Sequence, residues 1–484
     1  MQNKNTQKQA FYFTIINYVG VLIGIFSTLF IYPENKEMLG VFRYIESIAQ
    51  LLFPILLLGA SQSLINFYPK LDVNQKKKLF NYSVLSILLI SGIVLVFLFL
   101  SSNFSFLKGM KYVYYAFPIA VFLALIELFK KQSTIIQKIA IPTFFDNILP
   151  KIALPVLFIL LLRQIISTNQ SLCFYVISYG MILILVTWYL FYHFKPRIDF
   201  NFKSLFVDVS KKEYYRFSIF ALAGSLGSVF AFRIDAIMIK SFFSLESVGT
   251  FSIGVTLASA IAVPATGIFS LYAPIISNFL KNNQLAELNI KYKETAKLLF
   301  FIGAILYSCI FLGIENLFEM LPTHESLRVS IPIILILGFN VLINMGTGFN
   351  GEIITYSNFY KFNLIAILLL VILNITLNLV FILVFNLGIE AVAYASLISM
   401  VVFNFSKLWF IHRKFKLFPF DKSFLKLVIV LSSVLLICYF LPNLNNSFQN
   451  LIFKISVCLL LNLFIIYKLK LVYSYNFWVN KIIF

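Results

Sequence analysis

Long apolar stretches alternate along this chain with short polar ones. Most of the apolar stretches run roughly 18 to 25 residues, the length an α-helix needs to cross a hydrocarbon core at about 1.5 Å of rise per residue. The pattern predicts fourteen spans, at 11–31, 41–67, 79–100, 112–129, 139–162, 172–193, 214–239, 246–275, 296–314, 329–348, 361–385, 388–411, 424–441 and 451–472. The fifth carries Asp146 and Lys151 and the eighth carries Pro264 and Pro274, so these two are the spans most open to a break.

The connections test that count, because Lys and Arg concentrate in cytoplasmic loops. The N-terminus (Lys4, Lys8) is basic, as are the second loop (Lys70, Lys76, Lys77, Lys78), the fourth (Lys130, Lys131, Lys138) and the sixth (Lys195, Arg197, Lys203, Lys211, Lys212). The eighth (Lys281, Lys291, Lys293, Lys297), the twelfth (Arg413, Lys414, Lys416, Lys422) and the C-terminal tail (Lys468, Lys470, Lys481) continue the series, with the tenth, holding Lys361 alone, its weakest member. The connections between them carry Lys36, Lys108, Lys111, Arg163, Lys240, Arg328 and little else. A missed or invented helix would invert this alternation downstream of the error. The alternation therefore supports fourteen spans with both termini in the cytoplasm. No connection exceeds about 20 residues, which leaves no room for a soluble domain and puts the work of the chain inside the bilayer.

Composition agrees. Apolar residues make up 60% of 484 positions and charged residues 12%, against about a quarter charged in soluble domains. A net charge of +20 would suggest nucleic acid for a soluble protein, but here the cations sit in loops that set topology, which excludes it. Cys173, Cys309, Cys438 and Cys458 fall within spans, without CxxC or metal-ligand spacing, and read as packing residues. No metal site or cofactor is expected. The first apolar run is too long for a signal peptide and lacks a cleavage pattern, so it is read as a retained helix.

A short motif recurs. Leu39-Gly40-Val41-Phe42 opens the second span and Val248-Gly249-Thr250-Phe251 the eighth, with Pro54 and Pro264 at similar distances beyond. Six helices separate the copies, which is the spacing of two parallel six-helix lobes. A chain rich in Phe and Ile also matches itself by chance over so short a pattern.

These features carry a resemblance. With fourteen spans, Asn17-Tyr18-Val19-Gly20 in the first, the Gly40 and Gly249 openings, Arg233-Ile234-Asp235-Ala236-Ile237-Met238-Ile239 closing the seventh, and Pro264 in the eighth, the chain resembles the Wzx-type O-antigen flippases. These are the polysaccharide branch of the multidrug/oligosaccharidyl-lipid/polysaccharide exporter superfamily. The resemblance implies an all-α membrane fold of two six-helix lobes around a central cavity, with helices 1 to 6 in 1–200, helices 7 to 12 in 201–412, and two extra helices in 413–484. It also implies a lipid-linked oligosaccharide moved from the cytoplasmic to the outer leaflet of a bacterial inner membrane, alternating access, and coupling to a proton or sodium gradient. Partners implied are membrane lipids, a polysaccharide polymerase and a chain-length regulator.

Ionisable residues within spans are costly, about 2.5–3.5 kcal/mol at mid-bilayer on insertion scales, and so mark candidate sites. The chain offers Arg43 and Glu46, Glu127, Asp146 and Lys151, Arg233 and Asp235, Glu352, and Lys407. Arg43 and Glu46 are three apart and share a helix face. Arg233 and Asp235 are two apart and diverge by about 200°. A diphosphate calls for cations, so Arg43, Lys151, Arg233 and Lys407 are the expected substrate contacts. Glu46, Asp146 and Asp235 are the acids available for ion coupling. The plainer reading of each is a structural ion pair or a snorkelling side chain.

An enzyme is disfavoured: the outer connections are short, and the one His beside an acid, His324 next to Glu325, lies in such a connection. A drug or cation exporter of the same superfamily is the nearest rival, followed by a peptidoglycan-precursor flippase and a scaffold without transport. Exporters usually have twelve spans and an acidic cavity, whereas the charges here lean basic.

Overall fold

Leu58 and Gly59, both with left-handed backbones (φ 45° and 71°), break the second predicted span in two. The reason is packing: a Cβ on Gly59 would overlap the backbone carbonyl of Ser218, so the later helix can approach only where a glycine stands. In this computed structural model residues 18–101, 111–196, 199, 201–202, 204–359 and 361–483 are described. Lys4, Lys8, Asn17, Lys108, Arg197 and Lys203, used above, lie outside them.

Among the described residues the ordered elements are helical, and eleven helices are long and apolar enough to cross a membrane. Two bent pairs and the shorter apolar helix Tyr18–Phe30 occupy the remaining predicted positions. The chain divides into two compact units. Unit 1 comprises Met1–Ser27 and Glu34–Gly249, and unit 2 comprises Thr28–Pro33 and Thr250–Phe484.

Unit 1 contains α1 (Tyr18–Phe30, as far as Ser27), α2 (Lys36–Leu57), α3 (Ala60–Phe67), α4 (Val73–Ser101), α5 (Val113–Ile135), α6 (Ala140–Leu162), α7 (Thr168–His193), α8 (Leu205–Asp208), α9 (Lys211–Phe242) and the first turn of α10 (Leu245–Ser259). Helix starts follow from side-chain caps: Asn35 accepts from the Met38 N–H, Ser210 from that of Glu213, and Ser167 with Gln170 forms a capping box. α2 packs on α5 and α9, and α7 on α5 and α6. α4 presents Ile93, Phe97 and Phe99 outward, as a lipid-facing helix does. α6 is continuous despite Pro150 and Pro155, so the break expected in the fifth span does not form. α9 is bent by 51° between Lys211–Ala231 and Arg233–Phe242.

Unit 2 holds the rest of α10, then α11 (Val263–Lys281), α12 (Leu285–Glu319), α13 (His324–Arg328), α14 (Ile331–Gly346), α15 (Asn350–Tyr356), α16 (Lys361–Leu383), α17 (Glu390–Phe415), α18 (Lys422–Tyr439), α19 (Ser447–Lys468) and α20 (Tyr473–Ile483). The eighth predicted span is interrupted, as expected, by a 3-10 turn over Ala260–Ala262, just before Pro264. The tenth bends by 51° between α14 and α15, at Gly348 (φ 64°). There the Phe349 ring stacks on Tyr292 and Tyr272, at centroid distances of 5.0 and 5.7 Å.

Candidate functional site

Four of the predicted charges lie within electrostatic range of Glu46 or belong to its own ion pair in unit 1. Arg43 Nη1 donates to Glu46 Oε2 at 2.8 Å, the i,i+3 pair their spacing predicts, and Gln50 Nε2 donates to Glu46 Oε1 at 3.0 Å. Both carboxylate oxygens are therefore held from α2 itself. Lys151 of α6 and Arg233 of α9 lie within electrostatic range of the same carboxylate, and Lys151 within range of Arg43. α1 contributes a gap: a Cβ on Gly20 would stand 2.8 Å from Lys151 Nζ, so a glycine is what leaves room for the ammonium. Behind the cluster, fully buried Phe42 meets the Tyr175 ring edge-on at 5.0 Å, and Tyr175 meets Tyr179 at 5.3 Å.

Three cations thus lie within electrostatic range of one carboxylate, and Arg43 is the one in contact with it. No ion pair of Lys151 or Arg233 occurs among the described residues. Such an excess of positive charge within a bilayer suits an anionic ligand, and guanidinium forks match phosphate oxygens in particular.

The remaining candidates lie elsewhere. Asp146 accepts from Lys130 Nζ at 2.6 Å, and Lys130 and Lys131 flank Glu127 at 3.6 and 3.1 Å, giving a four-charge network between α5 and α6. Asp235, half-buried, follows Arg233 by two residues and so leaves α9 on a different face. Lys407 belongs to unit 2. It is buried, its Nζ stands 4.0 Å over the Phe403 ring, and Glu352 is its electrostatic partner.

Beside Lys407 is a group that a charge-based reading passes over. Asn350 Nδ2 donates to Asn404 Oδ1 (2.9 Å) and Thr347 Oγ1 (3.0 Å), and Asn404 Nδ2 donates to Asn344 Oδ1 (3.2 Å). These side chains join the α14–α15 break to α17. The signal available in the sequence is Asn344 and Asn350 on either side of Gly346-Thr347-Gly348, at the end of a largely apolar span.

The backbone of the chain matches solved transporter structures. Against the lipid II flippase MurJ in an inward closed conformation, the TM-score is 0.69 at 15% identity, covering 93% of this chain and 97% of that one. It shares the fold. An inward-facing multidrug resistance MATE family transporter of the MOP superfamily gives 0.63 at 13% identity, over 83% and 98% of the two chains. An outward-facing one gives 0.55 at 14%, over 85% and 96%. No protein-family model and no curated protein matches the sequence. At such identities the likeness rests on helix order and packing, which places this all-α chain among folds built of many membrane spans.

Proposed function

We propose that this chain is a flippase of the MOP superfamily, moving an isoprenoid-diphosphate-linked oligosaccharide across a bacterial cytoplasmic membrane by alternating access, for surface polysaccharide synthesis. The observation that carries the reading is the Arg43–Lys151–Arg233 group around Glu46. Three cations at one place suit a diphosphate and oppose a cationic drug as cargo. A protein that transports needs no catalytic residues, and its N-in, C-in orientation follows the basic loops. Glu46, Asp146 and Asp235 are the acids available to exchange a proton or sodium ion against the cargo. A polymerase and a chain-length regulator are the partners such a flippase would feed.

The likeness to MurJ favours a second reading, a peptidoglycan-precursor lipid as cargo. The experiment that separates these depletes the protein and measures, by glycosidase and lectin access to sealed inside-out vesicles, which lipid-linked glycan accumulates on the cytoplasmic face. Accumulation of a surface-polysaccharide unit, reversed by the wild-type chain but not by Arg43→Ala or Arg233→Ala, is the expected result. Accumulation of the peptidoglycan precursor alone would transfer the assignment to the second reading. No accumulation, with new sensitivity to cationic compounds, would replace both with an exporter.

A further inference from the structure

At one end of unit 2, where α12 and α18 finish and α19 begins, a cavity of about 690 Å³ opens among polar side chains. We propose that it is a saccharide-binding site. The central observation is Lys454. It lies seven residues into α19, roughly 10 Å along the helix, with only 8% of its surface exposed. Its Nζ makes one hydrogen bond among the described residues, to Asn443 Oδ1 at 2.6 Å. Its side chain is packed along the helix while its ammonium lines the cavity with further protons to donate.

The surrounding groups are fixed rather than loose. Asn450 Nδ2 donates to Asn316 Oδ1 at 2.9 Å, its Oδ1 accepts from the Leu444 N–H at 3.4 Å, and Ser447 Oγ donates to Glu319 Oε2 at 2.7 Å. Asn450 Nδ2 also donates to Asn443 Oδ1 at 3.4 Å, so the Asn450 N–H groups are engaged, and the carboxylate oxygens of Glu319 and the ammonium of Lys454 keep capacity for a ligand. Next to them stands an aromatic wall: Phe311 and Tyr439 have centroids 5.8 Å apart, Tyr439 and Phe440 5.3 Å, and Phe440 is 78% exposed.

The balance of charge narrows the ligand class. Glu315 is paired with Arg328 at 3.7 Å, and Glu319 and Lys454 offer one charge of each sign, so the lining has no net charge with which to select an anion or a cation. What remains is a neutral molecule that both donates and accepts hydrogen bonds and has an apolar face to lay on a ring, which describes a pyranose. The volume lies within the range of small-molecule sites. This site is separate from the unit 1 cation cluster, and the proposal does not depend on what that cluster carries.

The test uses the full chain in lipid nanodiscs, titrated by saturation-transfer NMR with glucose, galactose, N-acetylglucosamine, N-acetylgalactosamine and, as a control, inorganic phosphate. Saturable binding of at least one sugar, weakened tenfold or more by Lys454→Met and by Phe440→Ala, is expected. Phe440 is an exposed side chain, so its variant keeps the fold even where a change at Lys454 does not. The proposal is overturned if none of the four sugars binds saturably, if Phe440→Ala leaves binding unchanged, or if phosphate binds and the sugars do not.

Discussion

Gly40 and Gly249 sit against each other's helices in a reciprocal crossing. A Cβ at Gly40 would overlap the carbonyl of Leu245, and one at Gly249 the carbonyl of Lys36; each of those carbonyls lies four residues before the opposite glycine. The two copies of the sequence motif therefore meet. This is a close approach of backbones that only small residues permit.

Gly40→Ala and Gly249→Ala are each expected to destabilise the chain by roughly 1–3 kcal/mol or more, since the obstacle is backbone rather than a movable side chain. Gly224→Ala is the control: nothing lies within 4 Å of its Cβ position, so the substitution gains about 0.5–1 kcal/mol of helix propensity. Thermal unfolding in detergent, read as the loss of the monodisperse peak, ranks the three. A Gly40→Ala protein as stable as Gly224→Ala would refute the crossing.

Asp146→Asn should cost about 1–3 kcal/mol, because it leaves the Lys130 ammonium with only the longer contact to Glu127. A double-mutant cycle with Lys130→Met should return a coupling of roughly 0.5–3 kcal/mol. If the two substitutions are additive, the network contributes nothing to folding and Asp146 becomes a better candidate for ion coupling.

Asp421 sets a pH dependence outside the spans. It caps α18 by accepting from the Phe424 N–H at 2.8 Å and pairs with Lys297 at 2.9 Å. Burial acts to raise its pKa, but the hydrogen bonds from Lys297 and Phe424 and the Lys297 charge outweigh it and hold the carboxyl below its usual value of 3.8. A lowered folded-state pKa means that the stabilisation is complete above the unfolded carboxyl's pKa, near 4, and is lost as pH falls through the folded value. Asp421→Asn keeps a capping oxygen but has no proton to gain. Between pH 5 and pH 3 its unfolding temperature should therefore fall less steeply than that of the wild type; parallel curves would remove Asp421 from the acid response.

Spans and the Arg43–Glu46 pair were legible in the sequence because both depend on local periods: length along a helix, and three residues around it. The approach of Lys151 and Arg233 was not legible, since it depends on how α9 packs on α2 and on how α5 and α7 hold α6, across more than 100 positions of chain. Breaks divided in the same way. Pro264 announced the turn at Ala260–Ala262, but Pro150 and Pro155 sit inside an unbroken α6, as neighbours in a bilayer protein permit. The break at Leu58–Gly59 had no proline at the junction; it is imposed by the Ser218 carbonyl of α9. The amides of Asn344, Asn350 and Asn404 carry no charge, so each adds little to a span's polarity until the fold brings them together.

Those amides change what the bend in the tenth span is. A helix interrupted at Thr347 and Gly348 frees backbone groups that a loop in water would leave to the solvent. Here Thr347 Oγ1 returns a hydrogen bond to the Asn344 carbonyl at 2.8 Å, while Asn350 and Asn404 close the ring of contacts from the other side. The interruption thus carries its own substitute for water, and its shape is indifferent to whether lipid, cargo or an aqueous path lies next to it.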